Sequence, residues 1–311
     1  MSESNSNAIE TSKLGRDFGS KKVLQDVSFA IPAGNVCALL GKNGVGKTTL
    51  LKLLMGLIQA TEGTSCLLGD QDWPRAASTL RRTGCLLDGF EPPKATQIRH
   101  LLDLGRATGT EFDESSARKL LKERGLEPRC RWSTLSKGQR RWVLLTLLLC
   151  RKCDVLLLDE PADGLDPQSR IELYQLIRQQ ANDRNVTALI ATHVITDIER
   201  VADQVCILHD KSILFQADLE DLREQVQVID FDASPPLTQL PAGVERLHVV
   251  NGGSVQWWLR DRTDALESAR FENEIRRRKA SLEELFIALT GNSQIAGLPP
   301  PLVLSNISSG S

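Results

Sequence analysis

Gly41-Lys42-Asn43-Gly44-Val45-Gly46-Lys47-Thr48-Thr49 is the segment whose residue types and spacing most directly specify chemistry. It satisfies Gly-x-x-x-x-Gly-Lys-Ser/Thr in full. In that pattern the glycines let successive backbone N–H groups curl around phosphate oxygens, and the start of the following helix adds its positive end. Lys47 can reach the β and γ phosphates of a nucleoside triphosphate, and the Thr48 hydroxyl can ligate Mg2+. A dinucleotide-binding loop would not need the Lys47-Thr48 pair.

Two acids complete the chemistry that such a loop begins. Val155-Leu156-Leu157-Leu158 is an apolar run ending in Asp159-Glu160-Pro161. Asp159 would hold Mg2+ directly or through water. Glu160 would polarise an attacking water and accept its proton, although a carboxylate is a weak base and orientation of that water can matter more than full abstraction. Ser136 and Gly138 open a helix that continues through Val143 and Leu147, so their hydroxyl and N–H groups are available to an anion.

These residues need a scaffold that gathers strand ends. Val36 to Leu40 reads as a compact apolar strand before the loop, and Leu50, Leu51, Leu53, Leu54 and Leu57 give the helix after it one apolar face. Val23 to Ile31, Val155 to Leu158, Val186 to Ala191 and Gln204 to His209 read as further strands, the last followed by a hairpin through Lys211 and Ser212. Helices are expected at Ile98–Leu104, Ser115–Arg124, Ser136–Cys150 and Pro167–Asn182. Strands alternating with helices imply an α/β fold whose parallel sheet gathers ligand groups at the strands' carboxyl ends. After about residue 218 the pattern changes: a short helix Leu219–Arg223, strand Val226–Phe231, a hairpin Leu247–Val250 and Val255–Leu259 turning at Asn251-Gly252-Gly253, and a last helix including Leu282, Leu285, Phe286 and Leu289. Residues 1–10 and 292–311 are expected to be disordered.

Taken in order, these segments resemble the ATPase domain of ATP-binding cassette transporters over roughly residues 10 to 217. Leu135-Ser136-Lys137-Gly138-Gln139 resembles the family signature Leu-Ser-Gly-Gly-Gln, Ala162-Asp163-Gly164-Leu165-Asp166 the loop that communicates across a dimer, His193 the histidine at the γ phosphate, and Phe18 the aromatic residue that stacks on adenine. The resemblance implies a phosphate-loop NTPase sheet with an antiparallel β subdomain and a helical signature subdomain at about 90–150, within an ATPase domain of 11–217. Residues 218–291 would form a small C-terminal α+β appendage. It also implies ATP and Mg2+ as cofactors, and a dimer in which Lys47, Thr48, Asp159, Glu160 and His193 of one chain meet Ser136, Gly138 and Gln139 of a partner, with Asp166 on the communicating loop. That partner would be a second copy or another cassette subunit. Hydrolysis would remove the nucleotide that bridges the two and so convert chemistry into opening.

The sequence departs from the family pattern twice. Lys137 replaces the first signature glycine, so its ammonium either attracts the nucleotide across the dimer or points to solvent. Asp88 stands where the family carries a glutamine that senses magnesium and the membrane partner. It is shorter and anionic, and is expected on the metal side or, failing that, as a turn cap.

Composition bounds the remaining choices. The 311 residues are 41% hydrophobic, with 38 Lys and Arg against 40 Asp and Glu, so no general basic surface invites nucleic acid. Met1 to Asn7 lacks the basic head and apolar stretch of a signal peptide. The longest apolar tract, Trp142 to Cys150, is about half a membrane span. An integral membrane permease would then be a separate chain, with this one on the inner face of the membrane. Seven cysteines (37, 66, 85, 130, 150, 153 and 206) include one Cys-x-x-Cys, Cys150 and Cys153, without a second pair for a zinc site. Reduced thiols in a cytosolic compartment are expected.

Ser281 to Gly291 resembles the ending of ATP-binding subunits paired with export-type permeases, which makes solute export the leading expectation. The alternative is a soluble ATPase of the same superfamily acting in translation or repair. Translation members generally join two cassettes in one chain and repair members insert a long coiled coil, whereas this sequence has one phosphate loop, one signature and no room for such an insertion. A cassette retained only for binding would not need Lys47, Asp159, Glu160 and His193 intact.

Overall fold

The computed structural model describes residues 6–108, 110–232, 240–251, 255–269, 271 and 274–291. Gly252, Gly253 and the expected tail 292–311 lie outside those residues, as do residues 1–5.

β1 (Asn7–Phe18) and β2 (Lys21–Pro32) form an antiparallel hairpin. β3 (Val36–Leu40) leads through the phosphate loop to α1 (Lys47–Leu54), and β4 (Glu62–Leu67) returns to pair with β1, giving a three-stranded sheet of order β2-β1-β4. Residues 7–10, expected to be disordered, instead open β1. Ile9 is fully buried between its register partners Ile31 and Leu67, which explains why this polar stretch is ordered. Leu57 is corrected as well: α1 ends before Gly56, and Leu57 is exposed rather than on the helix's apolar face.

α2 (Ala77–Arg81) precedes β5 (Thr83–Leu86). Three helices follow, α3 (Ile98–Ala107), α4 (Glu114–Lys122) and α5 (Lys137–Leu149). The chain then alternates through β6 (Val155–Asp159), α6 (Pro167–Arg184), β7 (Thr187–Thr192), the short α7 (Ile195–Ile198), β8 (Gln204–His209) and β9 (Ser212–Asp218). These strands form a six-stranded sheet of order β5-β6-β7-β3-β8-β9, with every pair from β5 to β8 parallel.

The order of this sheet positions the site. β3, β6 and β7 are buried along their whole lengths, as continuous apolar runs in a parallel sheet must be. They lie side by side, with Asp159 opposite Ala191 and Leu40 opposite Thr192. Their carboxyl ends therefore deliver the phosphate loop, the acid pair and His193 to one edge. Beneath them Leu39, Leu50, Leu51, Leu54, Leu157 and Leu189 share one core.

Compactness separates a second unit from Ala217 onward. It contains α8 (Leu219–Gln225), β10 (Val226–Phe231), β11 (Val244–Asn251), β12 (Val255–Asp261), α9 (Ala265–Ser268), β13 (Glu274–Lys279) and α10 (Leu282–Gly291). Its antiparallel sheet, ordered β11-β12-β10-β13, buries Ile229, Phe231, Trp257, Leu259 and Leu266. Ser281 and Glu284 exchange capping bonds at the start of α10, and Leu282, Leu285 and Leu289 are its buried face.

Candidate functional site

Gly46 shows why the loop needs its glycines. Its φ is +122°, and a Cβ there would sit 2.7 Å from the Leu24 side chain. The loop is also tied to its own lysine. Lys47 Nζ donates to the Gly41 carbonyl at 2.6 Å and to that of Lys42 at 3.4 Å, and lies 3.4 Å from Glu160 Oε1. Val45 packs against the core below.

Thr48 and Asp159 are joined directly, the Thr48 hydroxyl donating to Asp159 Oδ2 at 2.6 Å. Asp159 is buried, which pushes its carboxyl up from the ordinary value; the charges of Glu160 and Asp88 add to this, while the bonds from Thr48 and the Asp88 N–H oppose it. A cation here would reverse that penalty. Paired hydroxyl and carboxylate oxygens are the hard donors that Mg2+ takes alongside phosphate and water, so the residues present fit that ion.

Glu160 has φ +45°, a left-handed conformation that costs a non-glycine residue energy and is held here by two backbone bonds. Its N–H donates to the Ala191 carbonyl at 2.8 Å, and its carbonyl accepts from Asp163 at 3.0 Å. The side chain is also fixed. Thr192 Oγ1 donates to Oε2 at 3.1 Å, and His193 Nδ1 lies 2.9 Å from Oε1. The Glu160 carboxylate thus stands between the phosphate-loop lysine and the strand-end imidazole.

Asn43, Gly44, Gly46, Lys47, Thr48, Thr49, Asp88, Asp159, Glu160 and His193 line one cleft of about 630 Å³, with Lys21, Val23 and Asp163. Sequence reasoning missed those last three, although Lys21-Lys22 beside the hairpin turn offered a charge signal. Gly41, Lys42 and Val45 support the cleft from the loop itself.

The remaining expected residues lie elsewhere. Phe18 is 46% exposed at the end of β1, and the Arg16 guanidinium covers its ring 4.5 Å from the centroid. Ser136 caps α5: its hydroxyl accepts from the Gln139 N–H at 3.2 Å, and Gln139 Oε1 accepts from the Ser136 N–H at 2.9 Å. Gln139 therefore shapes the helix start. Asp166 caps α6 through Ser169, whose bond holds its carboxyl below the usual range.

Both departures from the family pattern are engaged within the chain. Asp88 turns its carboxylate to Arg141 at 2.9 Å, and only its backbone N–H reaches Asp159, at 3.4 Å. In this structure the short acidic side chain pairs with the buried guanidinium. Lys137 Nζ donates to Asp163 Oδ2 at 2.7 Å from an exposed position. The pair is 69% and 41% exposed, where such bridges contribute about 0–1 kcal/mol. Lys137→Ala should accordingly change ATP turnover less than about threefold; a steady-state rate down by two orders of magnitude would overturn this.

The Cys150 and Cys153 thiols are buried, and burial pushes them up to about 12 and about 11 respectively, which suits inert packing.

The family model described as ABC transporter matches residues 24–163. The chain is 31% identical over 297 residues to the Nod factor export ATP-binding protein I of Burkholderia lata, covering 91% of this chain and 97% of that one. It is 29% identical over 224 residues to the bacitracin transport ATP-binding protein BcrA of Bacillus licheniformis, covering 71% and 72% respectively. Among solved structures, the ATP-binding subunit of an ABC transporter superposes with a TM-score of 0.62 at 26% identity, over 70% of this chain and 92% of that one.

Proposed function

Because the chain belongs to the ABC transporter ATP-binding family, we propose that it binds and hydrolyses ATP as a dimer and powers solute export through a separate membrane permease. The observation that carries this reading is a division of labour. One cleft gathers Lys47, Thr48, Asp159, Glu160 and His193, while Ser136 and Gly138 open α5 outside its lining. A helix start suited to phosphate but set apart from the chain's own phosphate loop calls for a second chain.

In this mechanism the phosphate loop and Lys47 bind the triphosphate, and Thr48 and Asp159 would hold Mg2+, which would neutralise phosphate charge. Glu160 orients and deprotonates the attacking water. His193 holds Glu160 and would contact the γ phosphate. Ser136 and Gly138 of the partner close over the same phosphate, with Gln139 and Asp166 fixing the segments on either side of the contact. Asp88 and Phe18 act as positioning and base-contacting groups.

No helix among the described residues is long and apolar enough to cross a membrane. In this reading a permease would hold the chain at the inner face of the membrane. The similarity of nearly the whole chain to a Nod factor export protein favours export over import. The test is affinity purification of the full chain from its native membrane, followed by ATP-dependent transport in vesicles. Recovery of a polytopic partner and transport that requires ATP are expected. Recovery with ribosomes and no membrane protein would favour the translation reading instead.

A further inference from the structure

We propose that the Asp88–Arg141 ion pair is a positioning link, which carries the placement of one chain's metal-side carboxylate to the phosphate-binding helix start that the same chain offers its partner. The inference rests on the dimeric ATPase reading above. Asp88 makes contacts on two sides: its N–H donates to Asp159 Oδ2 at 3.4 Å, and its Oδ1 accepts from Arg141 Nη2 at 2.9 Å. Arg141 lies on α5, five residues past the Ser136 cap, and is only 9% exposed. Within one helix a span of five residues moves as a unit, so where Arg141 is held, Ser136 and Gly138 are held too.

A second contact lies on the same helix face. Lys137 and Arg141 are four residues apart, an arrangement in which two cations repel unless acids face them. The acids that do so are Asp163 and Asp88, and both line the ATP cleft. Arg141 also lowers the Asp163 carboxyl, behind the larger effect of the Lys137 bond. The two pairs differ in weight because Lys137 is exposed while Arg141 is buried. Removing the partner of a buried guanidinium leaves an uncompensated charge, whereas removing an exposed one leaves a solvated ammonium. Arg141 and Asp88 therefore carry the link.

The test uses the full chain with a non-hydrolysable ATP analogue and Mg2+. Analogue affinity is read at protein concentrations low enough to keep the chain monomeric, and analogue-dependent self-association is read by sedimentation. Asp88→Asn should weaken self-association by about tenfold. Asp88 is 56% exposed on a loop, so this variant does not threaten folding. Arg141→Gln, at a residue outside the cleft lining, should weaken self-association to the same degree while changing monomer affinity by less than about threefold, and the double variant should be no worse than either single one, because the two act through each other. Monomer affinity falling in parallel in Arg141→Gln would overturn the link. Unchanged self-association, or additive effects, would overturn it as well. A wild-type chain that failed to bind the analogue would overturn the ATPase reading itself, and the link with it.

Discussion

Glu160→Gln should slow ATP turnover by about 100-fold or more and leave nucleotide affinity equal or tighter, because a positioned base contributes on that scale. The reason lies in what glutamine keeps and loses. Its carboxamide has the same shape and can still accept from Thr192, whose bond to Oε2 is 3.1 Å. The carbonyl bond to Asp163 and the N–H bond to Ala191 belong to the backbone and are unaffected. What disappears is the negative charge 3.4 Å from Lys47 Nζ and 2.9 Å from His193 Nδ1. Lys47 then has one fewer competitor for the phosphates, while the water loses its proton acceptor. Phosphate release under saturating ATP checks the first consequence, and equilibrium titration checks the second. Turnover within about threefold of wild type would leave Glu160 without the role given to it.

How much of this was legible in the sequence follows from the range of each interaction. The phosphate loop and the β6 acid pair are local: continuous apolar runs ending in loop or acid residues identify strand and function together. The family resemblance supplied the dimer and the partner permease. Lys21 and Val23 reach the cleft only because the β1–β2 hairpin folds over the phosphate loop, a packing that their local sequence does not specify, and Asp163 was read only as part of the loop after the acid pair. β4 and β13 were missed for a different reason. Glu62–Leu67 has few apolar positions and Glu274–Lys279 is mostly charged, so neither shows the alternation of a half-buried strand. β1 does contain such positions, but several register shifts with β2 break their period. Asp88 is the clearest case of information held only by the fold. Its metal-side expectation came from aligning one short segment, whereas its salt-bridge partner lies in α5 and is brought near by packing.

Gly138 gives the second large effect and tests whether sites are shared between chains. A Cβ on Gly138 would lie 2.5 Å from the Gly164 carbonyl oxygen, closer than real Cβ contacts come. Because the neighbour is backbone, a rotamer change cannot relieve the overlap, and the first turn of α5 must shift from the loop that follows Glu160. The rest of the helix is anchored by buried Trp142, Val143 and Leu145, so folding should survive. Gly138→Val should therefore lower turnover by about 100-fold, the scale for losing preorganised donors at a developing charge. Its own cleft keeps Lys47, Thr48 and Asp159, so monomer nucleotide affinity should stay within about threefold. Mixing this variant with Glu160→Gln makes the assignment decisive. In a mixed dimer, the cleft of the Gly138→Val chain meets an intact Ser136-Gly138 segment from the Glu160→Gln chain, restoring one complete site. The mixture should then exceed either variant alone by about tenfold, as an isologous pair sharing residues requires. Equal inactivity of the mixture and the separate variants would mean that each chain relies on its own α5.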